Sequence, residues 1–175
     1  RASLTKRDQD NADWQRDLSV AYDRIGEILL EQINPSEALI SLGKSLAIRK
    51  RLALADSSNT QCRDDLAYTY NNICWARALG GQLEAALGDC NEALRLKPDA
   101  NTPALDNRGF IYLKSGEFDK SVADYNAALD IEPRRGSSLF GRGLAKQRLG
   151  DTLGGDADIA KAKEIQTDIA EEFAR

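Results

Sequence analysis

The chain has 175 residues, of which 42% are hydrophobic and 30% are charged, and its formal net charge is −4. These fractions are typical of a globular domain, whereas the negative balance argues against nucleic acid as a partner, because phosphate binding requires a basic surface. The uncharged apolar stretches are only a few residues long, so the sequence predicts neither a membrane-spanning helix nor a signal sequence.

The first third of the chain repeats itself at an offset of 48 residues. Five residues recur in this way: Asn11 as Asn59, Asp17 as Asp65, Leu18 as Leu66, Tyr22 as Tyr70 and Ile25 as Ile73. Leu4 and Asp8 match Leu52 and Asp56 at the same offset, which predicts that residues 1–8 are the tail of a preceding repeat. Because the sequence contains no methionine, we expect a fragment of a longer protein.

Capping and stop signals divide the chain into predicted helices. Asp10 and Ser58 are good N-cap residues, and Gln61 completes a capping box with Ser58. Asn34 caps the helix that begins with Pro35. The tight turns between paired helices contain glycine, at Gly80, Gly81, Gly116 and Gly150. The predicted helices lie near 11–32, 36–55, 60–79, 83–96, 103–114, 118–131, 137–148 and 153–174.

The second half of the chain repeats at offsets of 35 and 34 residues. A period of this length indicates a solenoid, in which each unit buries its apolar face only against its neighbours. At an offset of 35, the matches pair Asn72 with Asn107, Gly81 with Gly116, Asp89 with Asp124, Ala93 with Ala128 and Pro98 with Pro133. At an offset of 34, they pair Leu105 with Leu139, Arg108 with Arg142, Gly109 with Gly143, Gly116 with Gly150 and Asp124 with Asp158.

The stretch 102–135 places small, aromatic and proline residues at set positions, namely Leu105, Gly109, Tyr112, Phe118, Tyr125, Ala128 and Pro133. This pattern resembles the tetratricopeptide repeat, a helix–turn–helix unit of about 34 residues. Segments 67–100 and 136–169 follow the same pattern, although Thr167 stands where the closing proline belongs.

The resemblance implies an all-α fold, a right-handed superhelical solenoid of antiparallel helix pairs with about four hairpins and about eight helices. We expect one solenoid over residues 1–175, from a bacterial protein with several repeats. Its parts are predicted at 1–8 (tail of a preceding repeat), 11–56 (an extended first repeat), 59–100, 102–135 and 136–169 (the next three repeats) and 170–175 (the end of a C-terminal capping helix).

Small residues are predicted where helices cross, because helix axes approach to about 8–10 Å only when the contact carries little side chain. These residues are Gly109 with Ser121 and Gly143 with Gly155 within hairpins, and Ala93, Ala128 and Ala162 between hairpins. Arg108 and Arg142 share one position of the repeat, and a second position holds aspartate in three repeats, at Asp89, Asp124 and Asp158. This recurrence predicts ion pairs within repeats. The basic run at 49–51 predicts a solvated helix face.

The sequence offers little catalytic or metal-binding chemistry. It has no histidine, the commonest general base and metal ligand, and no phosphate-binding glycine loop. The three cysteines match no zinc or disulfide framework, so Cys74 and Cys90 are predicted to be buried, reduced thiols. Helix capping, rather than a calcium loop, is predicted for the acidic residues Asp151, Asp156 and Asp158. We therefore predict no enzyme, cofactor or metal.

The family resemblance also implies a concave groove that holds an extended peptide or a partner helix. Carried over position by position, the predicted groove residues are Tyr68, Asn71, Asn72, Trp75, Leu79, Asp106, Asn107, Phe110, Lys114, Phe140, Leu144, Gln147 and Arg148. Exposed aromatic residues would suit a binding hot spot, and Asn72 and Asn107 can bind a ligand backbone. Alternatively, the aromatic residues pack against neighbouring repeats. Among the cationic positions of the family's carboxylate clamp only Arg24 is basic, so that subtype is rejected.

Apolar residues recur every three or four positions over 156–175, which predicts one terminal helix that caps the array. Alternatively, this helix docks a partner or a second copy through Ile169 and Phe173. The sequence thus predicts a non-catalytic, cytoplasmic scaffold that binds a protein or peptide, without nucleic acid or membrane. The alternatives are a regulatory or targeting segment of a larger enzyme or signalling protein, and a self-association module that pairs copies through the groove or the terminal helix.

Overall fold

The structure is a computed structural model that describes residues 11–99 and 101–174. All regular secondary structure in these ranges is α-helical, which confirms the predicted fold class. The first seven predicted helices agree with the structure to within one residue at each end. The helices are α1 (Ala12–Glu31), α2 (Pro35–Ala55), α3 (Thr60–Leu79), α4 (Leu83–Leu96), α5 (Thr102–Lys114), α6 (Phe118–Ile131), α7 (Gly136–Arg148), α8 (Thr152–Ile165) and α9 (Ile169–Ala174).

The helices form two compact units, with α1–α4 in the first and α5–α9 in the second. Within the first unit each helix packs against the next one, and α1 also contacts α3. The second unit repeats this arrangement in α5–α8, and its α9 packs against α7 and α8. Each unit therefore contains two stacked helical hairpins that bury their apolar faces against each other, as solenoid repeats do.

The starts of the helices include one confirmed cap and one that is shifted by a residue. The Asn34 side chain accepts a hydrogen bond from an N–H of the first turn of α2 at 3.3 Å, as predicted. At α3 the cap is Asn59, not Ser58, whose hydroxyl instead donates to Asp56 at 2.8 Å. Asparagine and serine are about equally good caps, so two neighbours of these types compete. The predicted cap Asp10 lies outside the described residues.

The prediction of one continuous terminal helix over 153–174 is wrong. The helix α8 ends at Ile165, the chain turns at residues 166–168, and the separate helix α9 begins at Ile169. The turn includes Thr167, the position of the closing proline in the repeat pattern. Since α7 and α8 have 13 and 14 residues, a longer α8 would project past its partner. The turn instead returns Ile169 to the core, where its side chain is fully buried.

One contact recurs in all four hairpins and joins residues that are 16 positions apart. In three of them a glycine faces a bulky side chain: Gly26 faces Leu42, Gly109 faces Tyr125, and Gly143 faces Ile159. A Cβ atom on these glycines would lie only 2.6, 3.1 and 2.7 Å from the facing side chain, respectively. The close approach of the paired helices at this point therefore depends on glycine.

In the remaining hairpin, which α3 and α4 form, the same contact is a disulfide bond between Cys74 and Cys90. Both residues are fully buried, as predicted, but the prediction of reduced thiols is wrong. Their Cα atoms are 5.3 Å apart, within the range of about 4.4–6.8 Å that a disulfide requires. Cys62 is a free, partly exposed cysteine.

The predicted small-residue contacts within hairpins are confirmed. The Ser121 hydroxyl donates to the Gly109 carbonyl at 2.8 Å, and a Cβ on Gly143 would lie 2.7 Å from the Gly155 carbonyl oxygen. The three alanines predicted between hairpins, Ala93, Ala128 and Ala162, are fully buried, and their packing between hairpins stays a prediction. Small side chains therefore set the spacing of the two helices within a hairpin.

The predicted ion pairs within repeats are also confirmed. Arg108 donates two hydrogen bonds to Asp124, both at 2.7 Å, and Arg142 binds Asp158 in the same way. Asp89 has the equivalent position in its repeat, but its partner is Arg77, one helical turn further along, at 2.5 Å. These pairs tie the two helices of each hairpin together at the edge of the core.

The basic run at 49–51 is only partly the predicted solvated face. Lys50 and Arg51 are exposed, but the Arg49 side chain is 4% exposed and forms an ion pair with Asp23 at 2.7 Å. Its guanidinium also donates to the Thr69 hydroxyl at 2.9 Å. The three residues come from α1, α2 and α3, so the burial of Arg49 depends on partners that are distant in sequence.

Candidate functional site

The predicted groove residues lie on α3 in the first unit and on α5 and α7 in the second unit, and each unit is described by itself. On α3, Tyr68 is 44% exposed, while Asn71, Asn72, Trp75 and Leu79 are partly buried. These five side chains follow one another along a single helix, as the repeat pattern predicts.

A glutamate on α1 connects two of the predicted groove residues. The Tyr68 hydroxyl donates to the Glu27 carboxylate, and the Asn72 amide donates to the same oxygen at 3.1 Å. Arg24 forms an ion pair with Glu27 at 2.8 Å. Burial and then the hydrogen bond to Glu27 raise the pKa of Tyr68. The Asn72 amide, predicted to hold a ligand backbone, is therefore hydrogen-bonded within the chain.

In the second unit, the two predicted groove phenylalanines are buried. Phe110 is 9% exposed and Phe140 is 7% exposed, because Phe173 of α9 packs on both. The ring centroids of Phe173 and Phe110 are 5.7 Å apart, and those of Phe173 and Phe140 are 4.9 Å apart. For these two residues the alternative, packing against neighbouring helices, applies. The packing of Phe173 on these rings was not predicted, because the apolar pattern over 156–175 indicated one straight terminal helix.

Asp106, another predicted groove residue, holds the start of α7 instead. Its carboxylate accepts hydrogen bonds from the hydroxyl groups of Ser137, at 2.8 Å, and Ser138. Arg135 Nε lies 3.3 Å from Asp106 Oδ2, an ion pair without the geometry of a hydrogen bond. Asp106 is itself 8% exposed, so its carboxylate is occupied at the junction of α5 and α7.

Three more predicted residues line a pocket between α5 and α7. Leu144 and Arg148 line the pocket from α7, and Lys114 lines it from α5. Gln147 does not, because its amide donates to Asp156 on α8 at 2.7 Å. Asn107 is partly buried. The pocket has a volume of about 410 Å³ and is lined by Phe110, Leu113, Lys114, Gly116, Phe118, Leu144, Arg148 and Phe173.

The lining of this pocket combines an apolar body with a basic rim. Five of its residues are apolar, while Lys114 and Arg148 are exposed cations. Lys114 Nζ lies 5.2 Å from the centroid of the Phe110 ring. At this distance the face of the aromatic ring attracts the ammonium group. Apolar residues with a few charged groups at the edge are typical of binding pockets. We call this site, with its eight lining residues, the α5–α7 groove.

The acidic residues near the start of α8 are engaged within the chain. Asp151 caps α8 and accepts from the Gly154 N–H at 2.9 Å, as predicted. Asp156 accepts from Gln147, and Asp158 binds Arg142. Among the described residues, no group of three or more metal-ligating side chains is placed to hold a metal ion. The helices of residues 11–99 and 101–174 include none with the length and apolar character needed to cross a bilayer.

Comparison with known proteins begins with the repeat itself. A family model described as a tetratricopeptide repeat matches residues 103–135. This is the segment in which the sequence pattern is most complete, and it includes α5 and α6, the hairpin that forms one side of the α5–α7 groove.

Curated relatives match about half of the chain. The photosystem I assembly protein Ycf3 of Prochlorococcus marinus is 30% identical over 93 residues, which are 52% of this chain and 54% of that protein. Ycf3 of a Synechococcus species is 33% identical over 88 residues, 49% of this chain and 51% of that protein. The chain therefore spans about half the length of the curated relatives that it matches.

Solved structures match nearly the whole chain at low sequence identity. A crystal structure of MamA has a TM-score of 0.59 at 20% identity and covers 97% of this chain and 86% of that one. YrrB, described as a TPR protein with an unusual peptide-binding site, has a TM-score of 0.55 at 14% identity and covers 98% of this chain and 97% of that one. At these identities the likeness establishes the fold alone. The helical hairpins, the family model and the solved structures agree: residues 103–135 match the tetratricopeptide repeat, and the chain has the fold of tetratricopeptide-repeat proteins.

Proposed function

We propose that the chain is a non-catalytic scaffold that binds a peptide or a partner helix in the α5–α7 groove. The observation that carries this proposal is the open pocket between α5 and α7, in which Leu113, Leu144 and Phe118 remain partly exposed. A groove between two helices suits an amphipathic helix or an extended peptide, because either can insert apolar side chains between them.

The relatives support an interaction function without identifying the partner. Ycf3 is described as an assembly protein, and YrrB as having a peptide-binding site. An assembly role and a peptide-binding site both favour an interaction function for this chain. A scaffold of this kind needs a rigid surface, and the small-residue contacts and ion pairs of each hairpin provide one.

Selection from a random peptide display library tests the proposed groove. The chain serves as bait, and the Leu144→Lys variant removes peptides that bind elsewhere. The matched control is Leu153→Lys, because Leu153 is 87% exposed on α8 and outside the groove. We expect peptides that bind the wild type and the control but not Leu144→Lys. If every selected peptide binds all three proteins, the groove is not the binding surface.

A second candidate function is self-association, which an apolar stripe on α1 favours. Four large side chains on one face of this helix are between 44% and 54% exposed: Trp14, Leu18, Ile25 and Ile28. The residues that match two of them 48 positions later, Leu66 and Ile73, are 7% and 4% exposed. Within the described residues, the α1 stripe thus lacks the covering that its internal counterpart has, and a second copy of the chain can supply it.

Sedimentation at increasing concentration tests this second function. We expect the wild type to associate. The control Leu54→Lys should associate as well, because Leu54 is 84% exposed and lies on α2, outside the stripe. Ile25→Lys places a charge in the stripe and should leave the chain monomeric. A wild-type chain that is monomeric at all concentrations would exclude self-association through α1.

The cytoplasmic location expected from the sequence stays a prediction, and the Cys74–Cys90 disulfide bears on it. Disulfides persist in oxidising compartments and are rare in the cytosol. Acid quenching of native cells, followed by alkylation of the denatured, unreduced protein, distinguishes the two locations, because denaturation exposes Cys74 and Cys90, which are fully buried in the fold. One alkylated cysteine would favour an oxidising compartment, whereas three would agree with the cytoplasm.

A further inference from the structure

Lys114 and Arg148 have the same place in consecutive repeats. Each is the thirteenth residue of its repeat and the last residue of its helix, in α5 and α7 respectively. Both are exposed and both line the α5–α7 groove. The repeat therefore places two positive charges on one rim of one pocket, on a chain whose net charge is negative.

These two cations differ from the other basic residues of α5 and α7. Arg108, Arg142 and Lys146 all form ion pairs with aspartates of their own hairpin. Neither Lys114 nor Arg148 forms an ion pair with any side chain that the structure describes. Their ammonium and guanidinium groups are therefore available to a ligand at the edge of an apolar cavity, where partial desolvation strengthens electrostatic attraction.

The chain itself shows which kind of segment the neighbouring aromatic surface accepts. Phe173 packs against Phe110 and Phe140, and it belongs to α9, whose sequence is Ile-Ala-Glu-Glu-Phe-Ala. The aromatic side chain of a segment whose sequence contains two glutamates thus already forms part of one wall of the groove. The remaining space, about 410 Å³, is large enough for further side chains.

Resting on the proposed function, we infer that the groove selects acidic segments. An apolar side chain of the partner enters between Leu113, Phe118 and Leu144, and carboxylates beside that anchor lie against Lys114 and Arg148. The partner is an acidic amphipathic helix or peptide with an aromatic or large aliphatic anchor. This arrangement differs from the family's clamp for a terminal carboxylate, since only Arg24 is basic among the clamp's cationic positions in this chain.

Three labelled synthetic peptides of equal length test this preference by fluorescence anisotropy with the complete chain. Each contains one phenylalanine, which is flanked by glutamate, glutamine or lysine. We expect the glutamate peptide to bind about tenfold more tightly than the glutamine peptide at low salt, with the lysine peptide weakest and the difference shrinking at high salt. Lys114→Gln/Arg148→Gln should remove the preference.

The matched control is Lys161→Gln/Lys163→Gln, which removes the same charge from two exposed residues of α8, and it should keep the preference. Equal affinity for the glutamate and glutamine peptides, with binding lost in Leu144→Lys, would overturn the inference and leave the proposed function standing. No binding of any peptide would also overturn the inference. The display selection, which uses none of these peptides, then decides the proposed function separately.

Discussion

Cys74 and Cys90 form a disulfide at the position where the other three hairpins pair a glycine with a bulky side chain. Gly109 and Tyr125 show the alternative most clearly, since the ring lies directly over the glycine. The repeat thus makes the same close helix contact in two ways. Either one of the two facing residues is glycine, or both are cysteines joined by a disulfide.

The disulfide should contribute measurably to stability. Replacing both partners, as Cys74→Ala/Cys90→Ala, removes a cross-link between residues 16 positions apart and should lower the free energy of unfolding by about 3 kcal/mol. Urea unfolding measures the change, and Cys62→Ala is the control, because Cys62 is not bonded. Alkylation of the denatured, unreduced protein should modify one cysteine, and modification of three would contradict the disulfide.

Because Tyr125 lies against Gly141 of the next repeat, replacing Gly141 with alanine should destabilise the fold. A Cβ on Gly141 would lie 2.2 Å from the Tyr125 hydroxyl and ring, compared with 3.1 Å at Gly109. We expect Gly141→Ala and the larger Gly109→Leu each to destabilise the chain by about 1–3 kcal/mol through overpacking. In a Tyr125→Ala background, Gly141→Ala should cost almost nothing. An equal cost of Gly141→Ala in both backgrounds, measured by urea unfolding, would contradict this contact.

The buried ion pair of Asp23 and Arg49 should respond differently from an exposed one. Their side chains are 2% and 4% exposed, so Arg49→Met leaves a buried carboxylate without its counterion, at an expected cost of about 3–5 kcal/mol. The double variant Asp23→Leu/Arg49→Met should be less destabilised than Arg49→Met, since it removes both charges. The control is Arg24→Met, which removes an exposed ion pair with Glu27 and should change the free energy of unfolding far less. If Arg49→Met matches Arg24→Met, Arg49 is not buried as described.

Asp158 should make the second unit sensitive to acid. Burial raises the pKa of Asp158, but hydrogen bonds from Arg142 and Lys146 outweigh it, and the net pKa is lowered. A lowered folded-state pKa gives stability that is present above the unfolded pKa of about 3.9 and is lost as the pH falls through the folded value. The stability difference between wild type and Asp158→Asn should therefore be constant above about pH 5 and shrink below about pH 4. A difference that does not change down to pH 2 would contradict the ion pair.

Local pattern was sufficient to predict most of the fold. The hairpin turns at Gly81 and Gly116, where φ is 73° and 78°, require glycine, and the sequence places glycine there. The Arg108–Asp124 and Arg142–Asp158 pairs were predictable because each recurs at the same two positions of the repeat. In these cases the determinants lie within one hairpin.

The sequence was less informative wherever the partners are distant or the signal is missing. No proline or glycine marks the end of α8, so the sequence did not predict the turn that returns Ile169 to the core. Arg49 looked like part of a solvated basic run because its partners lie on other helices. The disulfide could have been suspected from the spacing of Cys74 and Cys90, which equals that of Gly109 and Tyr125.

The structure leaves only some of the predicted groove residues at an open surface, and their role in binding stays a prediction. Lys114, Leu144 and Arg148 line an open pocket, whereas Phe110 and Phe140 are covered by Phe173. Carrying positions over from a family does not reveal which residues another segment of the same chain covers.

Hydrogen exchange of the chain, with and without the glutamate peptide, tests the central claim most directly. Binding in the α5–α7 groove should slow exchange in α5 and α7 and leave α1–α4 unchanged, and the Lys114→Gln/Arg148→Gln variant should lose this protection. Protection confined to α8, or protection that the variant retains in full, would contradict the account.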